Sequence, residues 1–274
     1  MRVERILAPN PGPFTGPGTN TYLLDVGGEV VVIDPGPVES THRRAIVEAV
    51  GDRRTAAVVV THTHPDHAPL ANPLARELGC PTFGYGPGPD FDPDELLTDG
   101  AVVAVGDAEL VAVHTPGHSE DHLCLRLGEI LFTGDHIMGG SSVMVDDVGA
   151  YLRSLQRLQE MELSRLYPGH GPEIDRPREV ISWYLAHRRQ REEEILAAVT
   201  SGARTVGQVV EVVYADVDRS LWPLAARSVR AHLRKLAADG EIRYGGEEGW
   251  EAPVAPNEAR GPAGDSGPRA NRGP

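Results

Sequence analysis

The apolar and polar positions of this 274-residue chain change period near residue 176. Before that point, short β-rich runs alternate with Gly/Pro turns, and the pattern predicts strands at Thr21 to Asp25, Val30 to Ile33, Ala56 to Val60, Val102 to Val105 and Glu109 to Val113. Helical spacing intervenes at Glu39 to Val50 and Leu70 to Leu78. Strands interleaved with helices argue for a layered α/β domain over residues 1–175. From Pro177 the pattern turns helical, with Pro177 to Val199, Thr205 to Tyr214 and Pro223 to Ala238, followed by a hairpin-like Gly240 to Gly246 and then Gly249-Trp250. Three helices and a two-stranded wing predict a small winged-helix-like domain over 176–252. After Ala252 the chain is Pro, Gly, Ala, Asn and Arg, too poor in apolar groups to bury a core, and residues 253–274 read as a disordered tail.

The strand ends carry the chemistry. His62-Thr63-His64-Pro65-Asp66-His67 follows the apolar run directly. In extended backbone His62 and His64 point to one side and can share a cation through their imidazole nitrogens, while Asp66 and His67 lie on the following turn, within reach of a second. Two ions need more ligands, and further strand ends supply them: Thr115-Pro116-Gly117-His118-Ser119, Phe132-Thr133-Gly134-Asp135-His136 and Tyr167-Pro168-Gly169-His170-Gly171. Imidazole and carboxylate donors without thiolate suit two divalent ions, zinc first, with manganese or iron as alternatives. Cys80 and Cys124 offer neither a disulfide framework nor a thiolate site.

The ordered set HxHxDH, His, Asp, His resembles the metallo-β-lactamase superfamily, over a span from about Pro9 to Gly171. The resemblance implies an αββα sandwich with the metals at one sheet edge. It places His62, His64 and His118 on one ion, Asp66, His67 and His170 on the other, and Asp135 between them. Two cations around one solvent molecule imply a hydroxide nucleophile at neutral pH, with Asp66 as the catalytic residue that orients it and accepts its proton. His42 and His187 read as surface residues. His114 and His122 read as either second-layer support or packing, and His136 as a candidate donor at the site.

Substrate is read from weaker signals. Asn10 to Thr15 and Gly18 to Tyr22, together with the C-terminal module, resemble a subgroup that includes a mitochondrial endoribonuclease, which implies cleavage of single-stranded RNA. Thr19, Asn20, Ser141 and Ser142 are candidate polar contacts at the site mouth. Arg227, Arg230, Arg234 and Lys235 recur at three- and four-residue steps on the third helix and form a candidate nucleic-acid face. Charge argues the other way, since residues 1–175 hold 26 acidic and 11 basic side chains, a balance of −15, and the helical module is neutral. Two alternatives therefore stand beside the ribonuclease: a thioester or lactone hydrolase similar to glyoxalase II, and a non-enzymatic DNA-binding regulator. The helical module could also wall the cleft or pair two chains as a homodimer. No run approaches 18 apolar residues and the N-terminus lacks an apolar signal segment, which predicts a cytoplasmic protein with no membrane partner.

Overall fold

The computed structural model describes residues 1–140, 142–246 and 248–257. Contacts divide the chain into Met1–Arg191 and Glu192–Pro274. In the first unit a six-stranded sheet runs in the order β1 (Arg2–Leu7), β2 (Asn20–Val26), β3 (Glu29–Ile33), β4 (Arg54–Val59), β5 (Thr82–Gly84) and β6 (Glu95–Leu96). A five-stranded sheet contains β7 (Val102–Val105), β8 (Ala108–His114), β9 (Leu123–Leu127), β10 (Ile130–Gly134) and β11 (Arg165–Pro168), with β11 and β7 at its two edges.

Side-chain alternation explains the layering. On β2 and β3, Tyr22, Leu24, Val31 and Ile33 face the second sheet, where they join Leu110, Leu125, Phe132 and Tyr167 in one core. Their neighbours Leu23, Val30 and Val32 point the other way, against α1 (Ser40–Val50) and α2 (Ala71–Leu78). Strands buried on both faces read as continuous apolar runs, which is why these were visible in the sequence. The chain crosses from β3 through α1 to the parallel strand β4, so β3 and β4 end at the same edge of the sheet.

Of this unit, β1, β5, β6, β9 and α3 (Val148–Gln159) lie outside the sequence expectations. β1 carries alternating charge (Arg-Val-Glu-Arg-Ile-Leu) and is half exposed at a sheet edge. α3 follows two aspartates and includes Gly149, which disguise a helix start; Asp147 is in fact its N-cap and accepts from Ala150 N at 2.8 Å. Buried Val148, Tyr151, Leu155 and Leu158 then mark its inner face. α4 (Pro177–Thr200) spans the boundary between the units.

The second unit holds α5 (Val206–Val213), α6 (Trp222–Ala238) and a two-stranded sheet of β12 (Ile242–Tyr244) and β13 (Val254–Pro256). The wing is therefore not a hairpin within 240–246: its second strand comes from a stretch that composition assigns to the tail. Val254 makes the difference, buried in a core with Val209, Leu233 and Ile242. The remainder of the expected tail, 258–274, and Ser141 lie outside the described residues. Among the described residues no helix is long and apolar enough to cross a membrane.

Candidate metal centre

Strand pairing delivers the side chains to one place. β3 and β4 pair Ile33 with Val59, so Asp34 emerges beside the residues that follow β4; its carboxylate accepts from Thr61 N at 2.7 Å and from Thr61 Oγ1 at 2.8 Å. β10 and β11 are parallel and pair Gly134 with Pro168, which brings Asp135 beside the His170 turn. The two sheets are tied at this edge by Leu123 N donating to Thr61 O at 2.7 Å, and by Asn20 N donating to Gly169 O at 2.8 Å.

Two groups of donors result: His62, His64, His118 and Asp135, and Asp66, His67 and His170, each with ligand atoms within 4.8 Å of one another. All seven residues singled out from the sequence are thus brought together. His62 Nε2 and His118 Nε2 lie 2.9 and 3.0 Å from one atom, His64 Nδ1. A single ring nitrogen cannot make well-aligned hydrogen bonds to both, whereas one cation among the three can take a lone pair from each. In the other group Asp66 Oδ2 is 3.1 Å from His170 Nε2, and Asp135 Oδ1 is 3.3 Å from both His67 Nε2 and His170 Nε2. The donor set fits two divalent cations, with Asp135 placed toward both groups.

A supporting layer aims these rings. Asp34 Oδ2 meets His67 Nδ1 at 2.9 Å, Met144 O meets His118 Nδ1 at 2.7 Å and Gly18 O meets His170 Nδ1 at 3.1 Å. Each fixes the tautomer that leaves the other nitrogen facing inward. His122 is fully buried and accepts from Asp135 N at 3.1 Å, with Thr115 Oγ1 at its other nitrogen; of the two roles open to it, support fits this geometry. Asp34 is not among the residues the sequence singles out, since nothing local separates it from other turn aspartates; in the structure it takes a φ of 49° directly after β3. Asp121 was missed too. It accepts from Thr63 N at 2.8 Å, Thr63 Oγ1 at 2.7 Å and Ser119 Oγ at 2.6 Å, stapling the turn of His62 and His64 to that of His118. Asp121→Ala is expected to weaken metal affinity at the first group by ~10–100-fold, read by competition with a chromogenic chelator; unchanged affinity would show that the staple is dispensable.

Electrostatics point to cations as well. Burial opposes charge on His67, yet Asp135, Asp34 and Asp66 outweigh it and raise its pKa well above the ordinary value. His170, likewise buried, is raised to about 9 by Asp135 and Asp66. Asp66 is lowered to about 2: burial would raise it, but His67 and His170 prevail. His62 is held neutral by burial and by the neighbouring His67. At pH 7 the metal-free centre therefore stores protons on His67 and His170, and cations must expel them. Loading is expected to release roughly two protons per chain at neutral pH, and affinity should rise with pH through the titration of His170 near 9. Calorimetry in buffers of different ionisation enthalpy measures this; zero release would contradict the charge state.

The remaining candidates are placed as follows. Thr19 and Asn20 are fully buried, not at a mouth. Thr19 Oγ1 lies 3.5 Å from Asp66 Oδ2, and the Asn20 amide donates to Pro168 O and Gly171 O at 2.8 and 2.9 Å, bracing the His170 turn. Ser142 is exposed and lines a pocket with Met138 and Trp183. His136 is fully buried against Tyr151, and burial and the nearby His118 push its pKa down to about 3, so it carries no acidic proton at neutral pH. His42 is buried, not on the surface, with Nε2 2.8 Å from Thr21 Oγ1; His187 is half-buried and stacked on Trp183. In the second unit Arg230 and Arg234 pair with Glu248 at 3.0 and 2.8 Å, and Lys235 with Glu192 and Asp239, both at 2.7 Å. With Arg227 they recur along α6, but these carboxylates leave that stretch little net positive charge.

Comparison with known proteins agrees with this architecture. Residues 14–170 match the metallo-beta-lactamase superfamily. The chain belongs to that superfamily. Residues 205–250 match the beta-lactamase associated winged helix domain. The chain is 35% identical over 268 residues to a beta-lactamase-like protein 2 homolog of Drosophila melanogaster, covering 88% of this chain and 89% of the relative. It is 31% identical over 283 residues to an atrochrysone carboxyl ACP thioesterase of Aspergillus fumigatus, covering 93% and 88%. A beta-lactamase domain protein from Burkholderia ambifaria shares the fold with a TM-score of 0.78 at 23% identity, over 93% of this chain and 91% of that one. This superfamily chain is thus a metallo-hydrolase by family, with a His/Asp cluster suited to divalent metal.

Proposed function

We propose that the protein hydrolyses a thioester with two divalent cations, zinc by the imidazole-rich donor set, held by His62, His64 and His118, by Asp66, His67 and His170, and by Asp135 between them. The observation that carries the hydrolase reading is the convergence of these seven side chains at one sheet edge. When bound, the two cations lower the pKa of a coordinated water and stabilise negative charge on the reacting carbonyl oxygen. Asp66 accepts a proton from the attacking water: its carboxyl is ionised at neutral pH and its side chain is 26% exposed, against 7% for Asp135. Asp34 holds the His67 ring, His122 the Asp135 backbone, and Asp121 the turns that carry His62, His64 and His118. The water oxygen bonds to the acyl carbon, the C–S bond breaks, and carboxylate and thiol leave with the two protons of water shared between thiol and solvent.

Thioester is preferred to RNA because the charge pattern favours a substrate of low charge. The first 175 residues carry −15, and Arg230, Arg234 and Lys235 of α6 are ion-paired. A relative that aligns along most of the chain is named a thioesterase. The RNA reading retains one specific observation, the associated winged-helix module. Side-by-side turnover of S-acyl glutathione and labelled single-stranded RNA by metal-analysed protein separates them. Thioester hydrolysis that Asp66→Ala abolishes supports the proposal; RNA cleavage alone would replace it.

A further inference from the structure

The loop that carries Asp135 continues into a second feature. Gly139 donates its N–H to His170 O at 3.1 Å. A Cβ on Gly139 would lie 2.2 Å from Pro172 O, and one on Gly171 would lie 2.2 Å from Gly139 O, so this segment is clamped to the His170 turn with no space for side chains. Beside the clamp opens a pocket of about 640 Å³, with Met138 and Ser142 on one wall and Glu179, Val180, Trp183 and Tyr184 of α4 on the other. Its volume falls in the range of ~300–1,000 Å³ typical of small-molecule sites. Met138 follows Asp135 by three residues, which puts their Cα atoms within ~11 Å of one another.

The walls are pre-ordered. The Tyr184 hydroxyl accepts from Met138 N at 3.2 Å and donates to Met138 O at 3.3 Å, joining α4 to the loop. Trp183 is 50% exposed, yet its indole is stacked on His187 at 5.1 Å with planes 7° apart and meets Tyr184 edge-on at 5.0 Å. An exposed aromatic face already held in one orientation binds an apolar group with little loss of freedom. Among the described lining residues Glu179 alone is charged, so an anion is disfavoured on the same ground as for the whole unit.

We infer that this pocket receives the acyl arm of the substrate, an uncharged and largely apolar chain or ring, while the carbonyl lies at the metal centre. The assignment rests on the thioester reading above. It makes Val180 and Trp183 specificity-determining residues, set apart from the proposed ligands.

Trp183→Ala and Val180→Asp test it in the full-length, metal-loaded protein with acetyl, octanoyl and benzoyl thioesters of N-acetylcysteamine. The ratio of kcat/KM for octanoyl or benzoyl over acetyl is expected to fall about tenfold in each variant. An unchanged ratio in both would overturn the assignment. If the wild type hydrolyses none of the three, the thioester reading fails by itself and the pocket is judged by calorimetric titration with N-octanoylcysteamine, the hydrolysis-resistant amide. Binding to the wild type that Val180→Asp removes would sustain an apolar subsite. No binding would overturn it, as would binding of an oligoribonucleotide that depends on Trp183 where the amide does not bind.

Discussion

Asp66→Ala is expected to lose hydrolytic turnover by roughly 10³-fold, the scale of a removed general base together with a metal ligand, while the protein stays folded. The fold should survive because the side chain is partly exposed and packs no core, in contrast to Asp135. Removing Asp66 takes one donor from the group it forms with His67 and His170. It also removes one of the carboxylates that hold the pKa of His170 near 9. Asp66→Asn keeps the shape and loses the charge, so it should fail in turnover as well. The assay is kcat with metal content and thermal unfolding measured on the same sample. Full turnover in a metal-replete Asp66→Ala protein would remove the proposed role.

Gly169→Ala is the second large effect. The added Cβ would lie 2.7 Å from Asp135 Oδ1 and 2.7 Å from His67 Cε1, and 3.1 Å from the Gly134 carbonyl carbon. These neighbours have little room to give: the Asp135 backbone N–H is fixed on His122, its Oδ1 lies 3.3 Å from both His67 Nε2 and His170 Nε2, and His67 is held by Asp34. The methyl group must therefore displace the carboxylate that faces both donor groups. A shift of about 1 Å at reacting groups costs on the order of 10²-fold in rate, and a fall of that size is expected along with substoichiometric metal. Two ions per chain and unaltered kcat in this variant would show that the centre is looser than its contacts imply.

The seven donor residues were legible because each stands at the end of an apolar strand, in a short run of turn residues whose chemistry has few other uses. The supporting layer was much less so. Asp34 and Asp121 are ordinary turn aspartates in sequence, and only the pairing of β3 with β4 and the approach of the Ser119 turn to Thr63 give them partners. Thr19 and Asn20 read as mouth residues from their place in the Gly18 to Tyr22 segment, whereas the Asn20 N–H bond to Gly169 draws that strand into the interior. His42 shows the same limit: a histidine in a polar helical stretch is buried because Thr21 lies across from it. α3 and the second wing strand were hidden by glycine, proline and aspartate, and a buried Tyr151 or Val254 outweighs such local signals only after tertiary packing is known. The charge of the third helix was counted correctly as a set of cations, but Glu248, Glu192 and Asp239 neutralise it from positions that helical spacing alone does not reveal.

Anomalous scattering from crystals of the metal-loaded protein, collected on both sides of the absorption edge of the metal found by elemental analysis, tests the central claim most directly. Two peaks are expected, one among His62, His64 and His118 and one among Asp66, His67 and His170, with Asp135 at both. Hydrolytic turnover in protein that shows no peak there, and that a chelator does not inhibit, would contradict the account.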